Sequence, residues 1–167
     1  MPDVSVGAAV FLGFIVIQRL AELALAKRNT AKLLARGAVE HAPGHYLLIV
    51  ALHSAWIAAL IFLGFGKPID FFWLAIFILL QVFRVWILMT LGERWTTRII
   101  VLNEPLVAKG PFAYFRHPNY MLVVGEIFVA PMVLGLWQVA LLFSVLNALV
   151  LAIRIRAEDQ ALSSLRG

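Results

Sequence analysis

Five apolar runs, the fourth of them short, are separated by polar connections and constrain the fold of this chain more than any other feature. The runs cover residues 4–26, 46–65, 71–91, 121–134 and 138–153. About 20 apolar residues in a helix span a hydrocarbon core of about 30 Å. Of the 167 residues, 63% are hydrophobic and the mean hydropathy is +0.95, more than a soluble core of this size requires. The sequence therefore predicts an all-α integral membrane protein with about five transmembrane helices.

The distribution of Lys and Arg predicts the orientation of these helices. The first and third connections and the C-terminal tail are basic, whereas the N-terminus and the second connection carry almost no positive charge. In a bacterial inner membrane, basic connections stay on the cytoplasmic side. The N-terminus is therefore expected outside, with the third connection and the C-terminus in the cytoplasm. The net charge is +5, and the basic residues cluster at the ends of apolar runs. The expected partner is therefore the lipid bilayer rather than nucleic acid.

The connections carry their own structural signals. Residues 27–36 predict a short amphipathic helix on the membrane surface, which Gly37 is expected to end. Residues 40–45 predict a polar hinge, and residues 94–109 predict a polar connector on the cytoplasmic face. Asp70 is the expected N-cap of the third span.

Other features limit the chemistry and the domain count. The chain has no cysteine, which excludes disulfides, iron–sulfur clusters and a thiol nucleophile. Its histidines lack the spacing of a metal site, so we assign no metal. No linker-like composition divides the chain, which predicts one domain over residues 1–167. The N-terminal Met1-Pro2-Asp3 lacks the positive charge of a cleavable signal, so the first run is expected to remain as a span.

Residues 110–120 are the part of the chain best suited to chemistry. Pro111 and Pro118 each remove a backbone donor and disfavour a helix before them, which predicts irregular backbone that begins with the flexible Gly110. The segment also holds a guanidinium, an imidazole and two phenols, those of Arg116, His117, Tyr114 and Tyr120. These groups bind anions and face cations, so we interpret the segment as a binding loop. The alternative is a basic membrane-surface loop with aromatic anchors.

Two pairs of ionisable residues are expected to meet. Arg84 lies within the third run and Glu126 within the fourth, where a charge requires a partner or a wet cavity. This predicts an Arg84–Glu126 pair facing the interior, either functional or a structural salt bridge. Because a tight turn joins the last two spans, His117 and Glu158 are expected to be neighbours. Residues 154–162 predict a charged helical extension of the fifth span.

Two motifs resemble the isoprenylcysteine carboxyl methyltransferase family. They are Gly-Pro-Phe at 110–112 leading to Arg-His-Pro-Asn-Tyr at 116–120, and RIRAEDQAL at 154–162. Residues 91–98 and 26–29 are similar to the small bacterial branch of that family. Phe112 replaces the usual tyrosine and loses a hydroxyl, whereas Asp159 replaces a glutamate and keeps the charge.

The resemblance implies methyl transfer from S-adenosylmethionine to an oxygen, carboxylate or hydroxyl, of a lipophilic small molecule that enters from the bilayer. For the small bacterial members it implies acceptors such as hydroxyls of alkylated polyketides. The cofactor would bind within residues 92–162, between the loop and the C-terminal helix. Arg116 and His117 suit its carboxylate, Glu158 its ribose, and Tyr114 or Tyr120 its sulfonium. The expected cofactor-binding residues are Gly110, Pro111, Tyr114, Arg116, His117, Pro118, Tyr120 and Glu158. The expected catalytic residues are Arg84, Glu126 and Arg154, with Glu126 nearest the acceptor.

Two other classes stay open at this point. The C-terminal part of membrane sterol reductases resembles the same architecture but binds NADPH; those chains are much longer, and this sequence has no second basic cluster for a 2′-phosphate. A non-catalytic membrane subunit is the third possibility. Binding of S-adenosylmethionine against NADPH separates them.

Overall fold

The computed structural model describes residues 5–163, and within them five α-helices account for most of the chain. They are α1 (Val6–Ala35), α2 (Pro43–Gly64), α3 (Phe71–Leu91), α4 (Pro118–Val133) and α5 (Trp137–Leu162). Four are long and apolar enough to cross a membrane, and α4 is a shorter apolar helix. Large apolar side chains such as Phe62 and Met89 are exposed on the outer helix surfaces. The predicted all-α membrane fold is confirmed, while the predicted span start at Val4 and the Met1-Pro2-Asp3 segment lie outside the described residues.

The first helix is longer than the sequence predicted. The separate surface helix expected at residues 27–36 is wrong, because α1 continues through most of this segment, which contains no glycine or proline. The buried Asn29 Nδ2 donates hydrogen bonds to the carbonyl oxygens of Gly92 at 3.2 Å and Trp95 at 2.8 Å. These bonds hold the end of α1 against the end of α3. Gly37 follows the helix with φ +89°, a conformation that favours glycine, so the predicted stop is confirmed.

Two short strands join the connections on one side of the molecule. Strand β1 (Val39–His41) pairs antiparallel with β2 (Ile99–Val101), with Glu40 opposite Ile100. Arg98 Nη1 donates to Glu40 Oε1 at 2.8 Å beside this ladder. Part of the predicted hinge and part of the predicted connector therefore pair with each other as a small two-stranded sheet. Three-residue strands are too short to show an alternating pattern, so the sequence did not reveal them.

The turns between the later helices follow the predictions. Asp70 Oδ1 accepts hydrogen bonds from the backbone N–H of Phe72 at 2.9 Å and of Trp73 at 3.2 Å, as expected of an N-cap. Residues 134–136 join α4 to α5, with Gly135 at φ +66°. The two helices therefore form the predicted hairpin.

The predicted binding loop is shorter than expected. A 3₁₀ turn occupies Gly110–Ala113, and α4 begins at Pro118 rather than at residue 121. Proline is suited to the first helical position because its missing N–H has no partner to lose there. Tyr120 consequently lies on the first turn of α4, where the helix fixes its direction. At the other end of the hairpin, α5 continues through the predicted extension at residues 154–162.

A buried polar layer divides the apolar core into two parts. The larger part contains buried residues from all five helices, including Ile15, Phe77 and Ile127, and the smaller part is formed by Ala26, Ile87, Trp95 and Leu122. Along each of α1, α3 and α4, the buried charged residues fall between these two sets. They are Glu22, Arg84 and Glu126.

Candidate active site

The buried charges form one connected network across three helices. Arg84 donates through Nε to Glu126 Oε1 at 2.9 Å and through Nη2 to Oε2, and its Nη1 donates to Glu22 Oε1 at 2.6 Å. Arg19 Nη2 and Gln81 Nε2 also donate to Glu126, at 2.8 and 2.9 Å. Two guanidiniums thus oppose two carboxylates, and Glu126 accepts from three side chains. Burial of charge requires such pairing, and the predicted Arg84–Glu126 pair is confirmed.

A cavity of about 220 Å³, here called the loop cavity, lies where residues 91–120 meet the end of α5. Its walls include apolar side chains such as Leu33, Ile99, Phe112 and Leu162. Its charged and polar lining comprises Arg94, Thr96, Arg98, Glu104, Arg116, His117, Asn119, Tyr120, Arg154 and Glu158. Five of the predicted site residues therefore share one cavity: Arg116, His117, Tyr120, Arg154 and Glu158.

Tyr120 is the centre of a hydrogen-bonded chain in this cavity. Its hydroxyl donates to Glu158 Oε2 and accepts from Arg154 Nε at 3.0 Å. Arg154 Nη2 also donates to the backbone carbonyl oxygen of Thr97 at 2.5 Å, which fixes the guanidinium against the connector. The three functional side chains are thus held in one arrangement by α4, α5 and the segment before β2.

His117 lies beside the acidic end of α5, as the hairpin predicts. Its Nδ1 is 3.9 Å from Glu158 Oε1, and its Nε2 is 3.3 Å from Asp159 Oδ1. The imidazole also lies 5.5 Å from the Tyr120 ring, centroid to centroid. The expected proximity of His117 and Glu158 is confirmed.

Arg116 differs from the other arginines of the loop cavity. It is exposed, and it forms no ion pair or side-chain hydrogen bond with the other residues in the range 5–163. Arg94 and Arg98, by contrast, pair with Glu104 and Glu40. Arg116 is therefore a cavity-lining guanidinium with its full capacity to bind an anion.

The remaining loop residues of the predicted cofactor set do not line the cavity. Pro111 and Pro118 are buried and shape the backbone, and Tyr114 is 79% exposed. Gly110 has φ +57°, and a Cβ there would lie 2.6 Å from Thr90 Oγ1, so only glycine fits this close approach to α3.

A second cavity of about 170 Å³, here called the helix cavity, lies among the five helices. Its lining is mainly apolar, with Leu23, Ile49, Val50, Ile57, Val123 and Leu151 among the contributors. Leu23 on α1 and Val50 on α2 are also exposed on the outer surface, at 45% and 38%. The lining of the helix cavity therefore includes side chains that are also exposed on α1 and α2.

The two cavities share a wall. Five residues line both: Trp95, Thr96, Asn119, Tyr120 and Arg154. The chain of hydrogen bonds through Tyr120 therefore separates a more polar cavity from a more apolar one. Of the predicted catalytic residues, Arg154 lies in this wall, Arg84 lines the helix cavity, and Glu126 lines neither cavity but binds Arg84.

Sequence reasoning missed part of both linings. Asn119 and Thr96 lie within the segments that carry the family resemblance, but neither was among the predicted site residues. His53 and Asn147 line the helix cavity and lie within apolar runs. The rule on intramembrane polar residues, which singled out Arg84, would also have found these two.

Comparisons with known proteins show which family the sequence resembles. A sequence profile described as the isoprenylcysteine carboxyl methyltransferase (ICMT) family matches residues 73–164, which contain both motifs and most of the loop-cavity lining. The uncharacterised protein YpbQ of Bacillus subtilis (strain 168) is 38% identical over 157 residues, covering 90% of this chain and 94% of that one. An uncharacterised protein of Haemophilus influenzae (strain ATCC 51907 / DSM 11121 / KW20 / Rd) is 29% identical over 154 residues, covering 88% and 90%. No solved structure matches the chain at a significant level. The profile covers more than half of the sequence, and this integral membrane protein therefore belongs to the isoprenylcysteine carboxyl methyltransferase family, a family of membrane methyltransferases.

Proposed function

We propose that this protein transfers a methyl group from S-adenosylmethionine to a carboxylate or hydroxyl oxygen of a lipophilic acceptor. The observation that carries the proposal is the shared wall, because it brings the more polar loop cavity and the more apolar helix cavity together at Tyr120 and Arg154. A reaction between a charged, water-soluble donor and a membrane-soluble acceptor needs two such compartments in contact.

The loop cavity has side chains that fit the cofactor. Arg116, which forms no ion pair within residues 5–163, would bind the amino-acid carboxylate, with His117 beside it. Glu158 uses Oε2 to accept from Tyr120, and its Oε1 would accept from ribose hydroxyls. The Tyr120 ring and the carboxylate of Glu158 suit a cationic sulfonium. When bound, the sulfonium supplies an electrophilic methyl group.

The protein's own contribution would be alignment and charge. Methyl transfer is an in-line displacement, so most of the acceleration comes from holding acceptor oxygen, methyl and sulfur in line. The hydrogen bonds from Arg154 to Tyr120 and to the Thr97 carbonyl oxygen keep this wall in one geometry. The positive charge of Arg154 would hold an acceptor carboxylate at the wall, and a hydroxyl acceptor would in addition pass its proton to a base as the new O–C bond forms and the S–C bond breaks.

The helix cavity would hold the acceptor's apolar body. Its mainly apolar lining and its exposed Leu23 and Val50 support access from the bilayer, between α1 and α2. The basic connections support a loop cavity that faces the cytoplasm, where the cofactor is available. The whole chain would act as one domain in the bacterial inner membrane, with residues 92–162 as its cofactor-binding region.

Calorimetry on the purified protein in detergent tests the proposal. We expect S-adenosylmethionine to bind with a micromolar Kd, on the order of 8 kcal/mol, and NADPH not to bind. Transfer of a labelled methyl group to a bacterial lipid extract then tests the reaction. Binding of NADPH alone would assign the chain to the reductase class, and binding of neither cofactor would favour a non-catalytic subunit.

A further inference from the structure

We infer that the helix cavity contains a polar recognition point, formed by His53 and Asn147, for a second oxygen function of the acceptor. The inference rests on the proposed function, since it takes the reacting oxygen to lie at Arg154. It makes the acceptor a hydroxyl-bearing amphiphile rather than a plain hydrocarbon chain.

The first observation is the unpaired amide oxygen of Asn147. It lies on α5 and is 2% exposed, and its Oδ1 has no hydrogen-bond partner within the described part of the chain. Buried polar side chains are almost always hydrogen-bonded, because an unpaired buried amide loses its hydration without replacement. Asn147 lines the helix cavity, so a rotation of its amide would bring the unpaired oxygen to a ligand there.

His53 is the second observation, and it comes from a different helix. Its Nδ1 lies 2.9 Å from the carbonyl oxygen of Ile49, one turn earlier in α2. A carbonyl oxygen only accepts, so the proton is on Nδ1 and the neutral ring has its lone pair on Nε2. No hydrogen bond reaches Nε2 from residues 5–163, and His53 lines the helix cavity. Nε2 is therefore a free acceptor that suits a hydroxyl donor.

The two residues lie at the same level of the cavity. Thr97 lies at the end of the cavity next to the shared wall and serves as a reference point on both helices. Its Oγ1 is 3.5 Å from the hydroxyl of Tyr46 on α2, and its carbonyl oxygen accepts a hydrogen bond from Arg154 on α5. His53 follows Tyr46 by seven residues in α2, and Asn147 precedes Arg154 by seven residues in the antiparallel α5. Seven residues are about two helical turns, or about 10 Å. Along their helices, His53 and Asn147 therefore lie about 10 Å from Tyr46 and Arg154, the residues that reach Thr97 beside the shared wall.

The charged residues near this point are already occupied. Arg19, Glu22 and Arg84 also line the helix cavity, and they bind one another and Glu126 in the network described above. His53 and Asn147 lack such partners within residues 5–163. A neutral hydroxyl, rather than a second ionised group, is thus the chemistry that the recognition point fits.

A positional series of hydroxyoctadecanoic acids tests the inference. The carboxylate serves as the acceptor oxygen, and the hydroxyl position samples the distance from the wall. Calorimetry in lipid nanodiscs should show that the 10-hydroxy acid binds about tenfold more tightly than octadecanoic acid. The 3-hydroxy acid should show no such gain. Equal binding of all three acids by the native protein would overturn the inference.

Substitutions assign the effect to the two residues. In His53→Leu and Asn147→Leu, the preference for the 10-hydroxy acid over octadecanoic acid should fall to within about twofold. Ser144→Ala is the matched control, because Ser144 Oγ is also buried without a partner in the described chain but lines neither cavity. A preference that survives in both leucine variants overturns the inference.

The same samples separate this inference from the proposed function. Thermal unfolding reports whether each variant is folded. If a variant is not folded, the binding of the three acids to the native protein alone decides whether the inference stands. Normal S-adenosylmethionine binding without positional preference overturns the inference alone. A positional preference without cofactor binding supports the recognition point and counts against methyl transfer.

Discussion

The Tyr120 hydroxyl donates a hydrogen bond to Glu158 and accepts one from Arg154 Nε at 3.0 Å. Tyr120 lies on the first turn of α4, and its two partners lie one turn apart near the end of α5. The phenol thus links the hairpin at the position where the two cavities meet. Each partner is expected to have a different task, so substitutions at this position should separate binding from turnover.

Tyr120→Phe should lower kcat about tenfold and change S-adenosylmethionine affinity by only a few-fold. The ring stays, but two hydrogen bonds worth about 0.5–1.5 kcal/mol each are lost, and Arg154 loses one of its two anchors. Steady-state methyl transfer measures the change. Tyr114→Phe is the control, since Tyr114 is 79% exposed and lines neither cavity. An equal loss in both variants would contradict a special role for Tyr120.

Glu158→Gln and His117→Ala should each weaken S-adenosylmethionine binding by about 1 to 3 kcal/mol. Each leaves a polar group of the ligand unpaired in a partly desolvated cavity. Calorimetry measures both, with Glu93→Gln as the control, because Glu93 pairs with Lys32 outside the loop cavity. Unchanged affinity in Glu158→Gln would remove Glu158 from the cofactor site.

Glu126→Gln should lower both stability and turnover while leaving S-adenosylmethionine affinity within a few-fold of the native value. Glu126 lines neither cavity, but it orients Arg19 and Arg84, which line the helix cavity. Loss of one partner of a buried ion pair costs about 3–5 kcal/mol of unfolding free energy. Denaturant unfolding and kinetics measure the two effects.

A double-mutant cycle checks this reading of the network. Because Arg84→Gln and Glu126→Gln remove the same pair, their combined destabilisation should be smaller than the sum by about 0.5–3 kcal/mol. Additive losses would mean that the two residues act independently. Native turnover in a folded Glu126→Gln protein would make the residue purely structural.

Acid should loosen the part of the connector that follows β2, residues 102–109. Glu104 accepts from Arg36 at 2.6 Å and from Arg94, and these hydrogen bonds, the one from Arg36 first, lower the pKa of its carboxyl. Because the pKa of this carboxyl is lower in the folded state than in the unfolded chain, where it is about 4.3, its ionised form stabilises the fold at pH values above that. This contribution is lost as the pH falls through the folded-state pKa. An environment-sensitive dye on Leu106→Cys should therefore report loosening below about pH 4. The effect should weaken with salt, because the pair is exposed. The change should be absent in a Glu104→Gln background, and a step that persists there would point to another group.

Cysteine labelling tests the orientation. The chain has no cysteine, so a single Ala113→Cys reports one position. We expect an impermeant maleimide to label it only after the cells are opened, because the basic connections stay in the cytoplasm. Lys67→Cys, in the connection between α2 and α3, should be labelled on intact cells. Labelling of Ala113→Cys from outside would reverse the topology and remove the cytoplasmic supply of cofactor.

The sequence predicted contacts where a strong physical penalty left few alternatives. An arginine and a glutamate inside apolar runs must find partners, which identified Arg84 and Glu126. A short turn between two helices must bring their far ends together, which identified His117 and Glu158. Both contacts follow from the order of the helices and the cost of an unpaired charge.

The sequence did not predict contacts that depend on helix rotation or on the backbone. Arg154 binds a carbonyl oxygen of Thr97, and any residue type supplies such an oxygen. Tyr114 and Tyr120 look equivalent in the sequence, but only Tyr120 points into the cavities, because α4 begins earlier than expected. Likewise, Glu126 binds Arg84 and does not reach the helix cavity, a matter of which helix face turns inward.

Under the proposed function, the exposed Leu23 and Val50 in the lining of the helix cavity change how the concentration of the acceptor is to be expressed. A molecule that reaches the cavity through the hydrocarbon between α1 and α2 is encountered in two dimensions, at its mole fraction among the lipids. Transfer of each buried methylene from water is favourable by about 0.8 kcal/mol, so a long-chain acceptor is almost entirely in that phase. Added detergent or lipid would then dilute the acceptor without changing its molar amount in the tube, and an apparent KM would scale with the amount of bilayer.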